Sequence, residues 1–180
     1  MLVRQIRCLV YNLATSCFLF FLCNPIDARG ESWDLAGSVG PSFGSTFRES
    51  EKDGLGIEAA CELGLTDTLA LSLGTGFAQH FIGSGEGYSL FHATGGILYK
   101  LDVLAIVPFA AVRVGYLGQI LESSPATHGL AMSVSVGFDY LLTENLTLGF
   151  AAEYLGLVSS LSAFPVYAVF TGRIGLRLPH

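Results

Sequence analysis

The side chains able to do bond chemistry are few and scattered in this sequence. Of four histidines, His80 and His92 fall in alternating apolar segments and His128 beside a polar stretch, while Ser84, Glu86 and Ser89 lie between the first two. A hydroxyl, an imidazole and a carboxylate in contact would suit acyl transfer, the hydroxyl attacking as the imidazole takes its proton. No order or spacing ties these residues into such a triad, and they read as groups bonded to neighbours or water. Gly83-Ser84-Gly85-Glu86-Gly87 has the glycines of a phosphate loop but neither its lysine nor a following helix, and reads as a loop tip. Asn145-Leu146-Thr147 matches a glycosylation acceptor yet opens a strand at a tight turn. No spacing suits a metal. The expectation is therefore a non-enzymatic chain with no catalytic residue, metal or cofactor.

Two sets of charges remain. One is sparse and balanced in sign: Glu58, Glu62, Asp139 and Glu153 against Lys100, Arg113, Arg173 and Arg177. The other is clustered, with Arg48, Glu49, Glu51, Lys52 and Asp53 together and Glu86 and Glu122 further along. What either set does depends on the elements that carry it, and composition narrows these. The 180 residues are 51% hydrophobic and 13% charged, with 22 glycines and a net charge of −6, and the mean hydropathy is +0.55. An average soluble domain carries about 25% charged residues and about 7% glycine. Disorder, a coiled coil and a solenoid are excluded, and so is nucleic-acid binding, because no basic run exists to neutralise phosphates. A membrane protein or an unusually apolar soluble sheet is left, of one domain at this length.

Residues 1–28 read as a cleaved signal peptide. Arg4 and Arg7 precede the apolar run Cys17 to Cys23, and Ile26-Asp27-Ala28 offers small-residue cleavage after Ala28. An uncleaved anchor is disfavoured because the run is short of the ~20 apolar residues a spanning helix needs. Lipidation at Cys17 is disfavoured because most of the apolar run follows it. Cys8, Cys17 and Cys23 fall in this leader, leaving Cys61 alone in the mature chain 29–180, which excludes an intramolecular disulfide.

Beyond residue 32 the apolar period is two. Leu55 to Leu63 places apolar residues at every odd position and Gly, Glu or Ala between them, and Leu69 to Phe77, Leu130 to Tyr140, Leu146 to Tyr154 and Val166 to Leu178 sort likewise. Strands are predicted over roughly 33–44, 54–64, 68–79, 88–100, 103–117, 129–142, 145–157 and 165–178. Each is near or above the ~9–11 residues that cross a bilayer at a tilt. Short breaks alternate with longer ones around 45–53, 80–87, 118–128 and 158–164, which puts four long loops at one end and both termini at the other. Leu101 to Leu121 is nearly apolar throughout, but Pro108 would break a helix there, and the stretch fits better as the fifth strand with Arg113 inward.

The fold class expected is all-β: an eight-stranded, antiparallel, up-and-down transmembrane β-barrel. A soluble ligand-binding barrel would share the alternation, but its second face would meet water and should be rich in Lys and Glu. Here that face is mostly Gly, Ala, Ser and Thr, so the apolar face is assigned to lipid and the small polar face to a narrow lumen. Aromatics on the outward parity form two girdles, Phe77, Phe91, Tyr116 and Tyr154 towards the long loops and Tyr99, Phe138 and Tyr140 towards the short turns. The balanced charges all fall on the inward parity, with His80 and His92. Since a buried charge is costly unless paired, they are expected to form a network. Glu62, Lys100, Asp139 and Arg177 would make a layer near the short turns, with Glu58, Arg113, Glu153 and Arg173 deeper and Glu153 paired to Arg173. The clustered charges would sit on the long loops, where binding residues concentrate.

This pattern resembles the small eight-stranded barrels of the bacterial outer membrane, the group of OmpX, OmpW, NspA and the OmpA transmembrane domain, over the whole mature chain. Gly172-Arg173-Ile174-Gly175-Leu176-Arg177-Leu178 is similar to their terminal strand, which normally ends in an aromatic read by the insertion machinery; here the ending is Leu178-Pro179-His180. The resemblance implies residence in the outer membrane, insertion through the last strand, and interior ion pairs able to plug or gate the lumen. Some barrels of this size modify lipids, but with a catalytic group placed at the lipid surface. The function expected is a membrane scaffold and surface-exposed interaction protein, whose partners are outer-membrane lipid, the insertion machinery and a host or environmental surface ligand met by the loops. The alternative, implied by likeness to OmpW, is passage of small or hydrophobic solutes in porin-like fashion.

Overall fold

The computed structural model describes residues 35–46, 53–80, 87–101, 105–121, 127–158 and 167–178. The segment 1–28 predicted to be a leader lies outside them. Eight strands follow one another: β1 (Leu35–Thr46), β2 (Gly54–Gly64), β3 (Leu69–His80), β4 (Tyr88–Lys100), β5 (Ile106–Leu121), β6 (Thr127–Leu141), β7 (Leu146–Leu157) and β8 (Tyr167–Leu178). Each pairs antiparallel with the next, and β8 pairs with β1 to close the barrel. Closure satisfies every strand edge, which a chain in lipid needs because hydrocarbon offers backbone groups no partner. The strands run from 11 residues in β2 to 16 in β5, enough to cross a bilayer at a tilt.

The alternation sets the faces as expected. Leu55, Ile97, Val114, Leu130, Ile174 and Leu176 each leave more than half of their surface exposed on the outer wall, a coat that suits hydrocarbon and not water. The apolar fifth segment is a strand, with Pro108 on the outer face opposite Phe138.

Two of the short turns share one design. In Leu65-Thr66-Asp67-Thr68 the Thr66 hydroxyl accepts from the amides of Thr68 at 3.3 Å and Leu69 at 3.0 Å. In Leu142-Thr143-Glu144-Asn145 the Thr143 hydroxyl accepts from Asn145 at 3.3 Å and Leu146 at 3.0 Å. Threonine thus supplies the local acceptor that stabilises the reversal. Asn145 also ties its turn to β8, its side-chain amide donating to the Arg177 carbonyl at 2.9 Å.

Several boundaries differ from expectation, among them β1, which runs on to Thr46, and most of all the ends of β5 and β6. Of the loop predicted over 118–128, residues 118–121 belong to β5 and 127–128 to β6, which keep pairing through Gly118↔His128 and Gln119↔Thr127. Ladder hydrogen bonds outweigh the turn-like composition of Gly118-Gln119.

Candidate functional site

The lumen is built by the inward positions of all eight strands, and the expected network of Glu58, Glu62, Lys100, Arg113, Asp139, Glu153, Arg173 and Arg177 lies there. Its pairing differs from the sequence reading. Glu153 is bonded to Arg113 at 3.3 Å, not to Arg173. Arg173 donates from Nη2 to Glu62 at 2.8 Å and holds Asp139 3.1 Å from Nε. Glu58 takes His92 at 2.8 Å, so that histidine belongs to the network. Arg113 also donates from Nε to the Ser72 hydroxyl at 3.0 Å. The layers shift accordingly, with Glu58, His92, Arg113 and Glu153 clustering mid-barrel. Arg173 instead joins the group near the short turns, its guanidinium 4.8 Å above the Phe109 ring.

A geometric rule underlies these partners. Every described ion pair skips a strand: β2 to β4, β5 to β7, β8 to β2 and β6 to β8. The wall of a narrow barrel curves so tightly that inward groups on second-neighbour strands converge over the strand between. That strand must then carry a small residue. Gly76 stands between Glu58 and His92 in register, and a Cβ there would lie 2.1 Å from the Glu58 Oε1 and from the His92 Nε2. Gly149 likewise stands between Asp139 and Arg173, where a Cβ would lie 2.0 Å from the Asp139 carboxylate. Searching adjacent strands for opposite charges missed this; an inward charge, glycine, charge line across three strands is the signal that finds two of the four pairs, Glu58–His92 and Asp139–Arg173.

The end of the lumen near the long loops is not lined by small polar residues as expected. Tyr88, Leu90, Leu117, Ala131, Leu155, Leu157, Tyr167 and Val169 form one apolar cluster there, in which Leu117 and Leu155 are 0% exposed. His80 is buried against it, its ring stacked on Tyr88 at 4.4 Å and bonded through Nε2 to the Tyr167 hydroxyl at 2.9 Å. Gly54 and Gly44 make room for the His80 ring and the Tyr167 phenol. The signal lay in Leu155, Leu157, Tyr167 and Val169, which interrupt the polar parity at the strand ends.

Among the described residues, small cavities lie below this plug, two of them of about 40 Å³ each. The upper touches Glu58, Arg113, Glu153, Ser135 and Thr171. The lower touches Glu62, Lys100, Asp139, Thr147 and Arg177. Arg173 lines both and divides them. A cavity that holds one water needs about 10–15 Å³, so neither takes an organic solute. Among the described residues no group of three or more His, Cys, Asp or Glu could hold a metal.

No protein-family model matches the sequence, and no curated protein is detectably similar to it. Solved structures do match. OprG from Pseudomonas aeruginosa superposes at a TM-score of 0.63 with 14% identity, covering 81% of this chain and 96% of that one. Neisserial surface protein A gives 0.59 with 13% identity, over 83% and 99%. Ail, the attachment invasion locus protein of Yersinia pestis, gives 0.57 with 10% identity, over 81% and 99%. The fold is that of the small eight-stranded outer-membrane barrels.

The remaining sequence-derived positions fall as follows. Tyr99, Tyr116, Phe138, Tyr140 and Tyr154 are exposed on the outer wall, while Phe77 and Phe91 face each other there half-buried. His128 is outward and stacks on Tyr116 at 5.8 Å. Asp53 is exposed beside the first long loop, and Arg48, Glu49, Glu51, Lys52, Glu86 and Glu122 lie outside the described residues.

Proposed function

We propose that the protein is a non-enzymatic, integral barrel of the cell outer membrane, exported by a cleaved leader, that serves as a membrane scaffold and meets external molecules through its four long loops. The observation that carries this reading is the apolar plug, since Leu117, Leu155, Leu157 and Tyr167 are almost wholly buried across the loop end of the lumen. An interior sealed by packed apolar side chains has no water-filled path, so loops on a rigid scaffold are the part left to act. Attachment is the role in Ail's name, and here it supports the reading by likeness of fold alone. Insertion through β8 and girdles of Tyr99, Tyr116, Phe138, Tyr140 and Tyr154 at the lipid interfaces belong to the same proposal.

Planar-bilayer recording on the refolded protein separates this from solute passage. The expected result is no defined channel events, with heat-modifiable gel migration proving the barrel folded. Discrete channels altered by changing Arg113 or Glu153 would establish passage instead.

A further inference from the structure

The upper cavity lies where buried polar atoms outnumber their protein partners. Ser135 on β6 and Glu153 on β7 stand opposite one another in register, and both line it. Among the described residues no protein group hydrogen-bonds to the Ser135 hydroxyl or to the Glu153 Oε1, both removed from solvent, since Arg113 donates to Oε2 of that carboxylate. Gly74 on β3 adds to the wall, and the space over it meets two more polar atoms. A Cβ there would lie 3.4 Å from the Thr94 Oγ1 and 3.6 Å from the Arg113 Nη1. The Thr94 hydroxyl also lacks a protein partner among the described residues. Ser135 is 2% exposed and Thr94 5%. Buried polar groups are costly unless hydrogen-bonded, and three of them converge on one cavity.

We propose that this cavity is a binding site for internal water, roughly three molecules in its volume of about 40 Å³, bonded to Ser135, Glu153 and Thr94. The charges around it set the class of ligand. Arg113 is engaged by Glu153 and Ser72, Arg173 by Glu62 and Asp139, and Glu58 by His92, so the cavity calls for a neutral guest. Two hydroxyls that donate and accept, with a carboxylate oxygen that accepts, need a guest able to do both. Water does both and is small enough. It is held inside a barrel that the plug keeps closed, so the charged part of the lumen is wet without conducting.

The test is water-to-methyl cross-relaxation in the full refolded barrel, deuterated except at its alanine methyls and held in deuterated detergent. Cross-peaks with water are expected at Ala60 and Ala151, which line the cavity, and none at Ala131, which is 0% exposed within the plug. Gly74→Ala sets a methyl in the cavity at ordinary contact distance from Thr94 and Arg113, so folded gel migration should be kept. That methyl should displace one water of roughly three and weaken the Ala151 peak by about a third. Silence at both Ala60 and Ala151 in the parent barrel overturns the proposal. So does an unchanged Ala151 peak in the folded variant, or a peak of equal strength at Ala131, which would mean water passing through the lumen at large. The parent barrel decides alone should Gly74→Ala not fold.

Discussion

The two ends of the lumen share one parity and opposite chemistry. Inward positions towards the long loops carry Leu90, Leu117, Leu155, Leu157, Tyr167 and Val169, packed on one another. Those towards the short turns carry Glu62, Lys100, Asp139, Arg173 and Arg177 around a cavity, with Leu98 and Phe109 as an apolar wall. Eight strands leave an interior that side chains can just fill, and the comparison shows two ways of filling it. Apolar side chains need contact only, so the plug seals without regard to exact partners. Charges need partners of the right sign at hydrogen-bond distance, so the other end is specific and easily unbalanced.

The largest break in this contrast should come from Arg173→Met. It leaves Glu62 and Asp139 without their shared cation, and removing one side of a buried pair typically costs about 3–5 kcal/mol. Urea unfolding in lipid vesicles, read from the fraction keeping folded gel migration, measures the loss. Leu155→Ala is the matching break in the plug, expected at about 3 kcal/mol from lost transfer energy and the cavity left behind. The two differ in a second readout: only the plug variant should admit ions from the loop side in a bilayer recording. Channels from Arg173→Met with none from Leu155→Ala would place the seal at the wrong end.

How far the sequence reaches follows the same divide. Alternation made the strands, their faces and the closed topology legible, because period two has one meaning when both faces are specified. The Thr66 and Thr143 turns were legible as breaks. The partners inside were not: Glu153 and Arg173 share neighbouring strands, yet Glu153 stands opposite Val169 and reaches Arg113 on β5 instead. Which side chains meet depends on wall curvature and on where the wall is thin, as at Gly76, and a reading of neighbouring strands contains neither. The plug escaped for another reason. Averaged over eight strands the inward face is small and polar, and that average hides the exceptions gathered at one end.

A double-mutant cycle on Arg113 and Glu153 sharpens the charged side of the comparison. Glu153→Ala strands Arg113, which keeps Ser72 as acceptor, and the pair is long at 3.3 Å with Glu153 12% exposed. The cost should therefore fall below the usual buried-pair range, at about 2 kcal/mol. Adding Arg113→Met should recover part of it, since the uncompensated cation goes. Purely additive losses would show that the two groups do not couple across β6, and the strand-skipping rule would fail at its longest contact.

The smallest expected effect tests whether the plug is apolar in function as well as in composition. Tyr167→Phe keeps the ring among Leu155, Leu157 and Val169 and deletes the hydroxyl that His80 bonds at 2.9 Å. His80 stays stacked on Tyr88, so packing survives and one hydrogen bond is lost, at about 1 kcal/mol. If contact alone makes the seal, this variant unfolds slightly earlier in urea and conducts no more than the parent. Conductance appearing with so small a loss of stability would mean that the His80–Tyr167 bond, and not the leucine packing around it, holds the loop end shut.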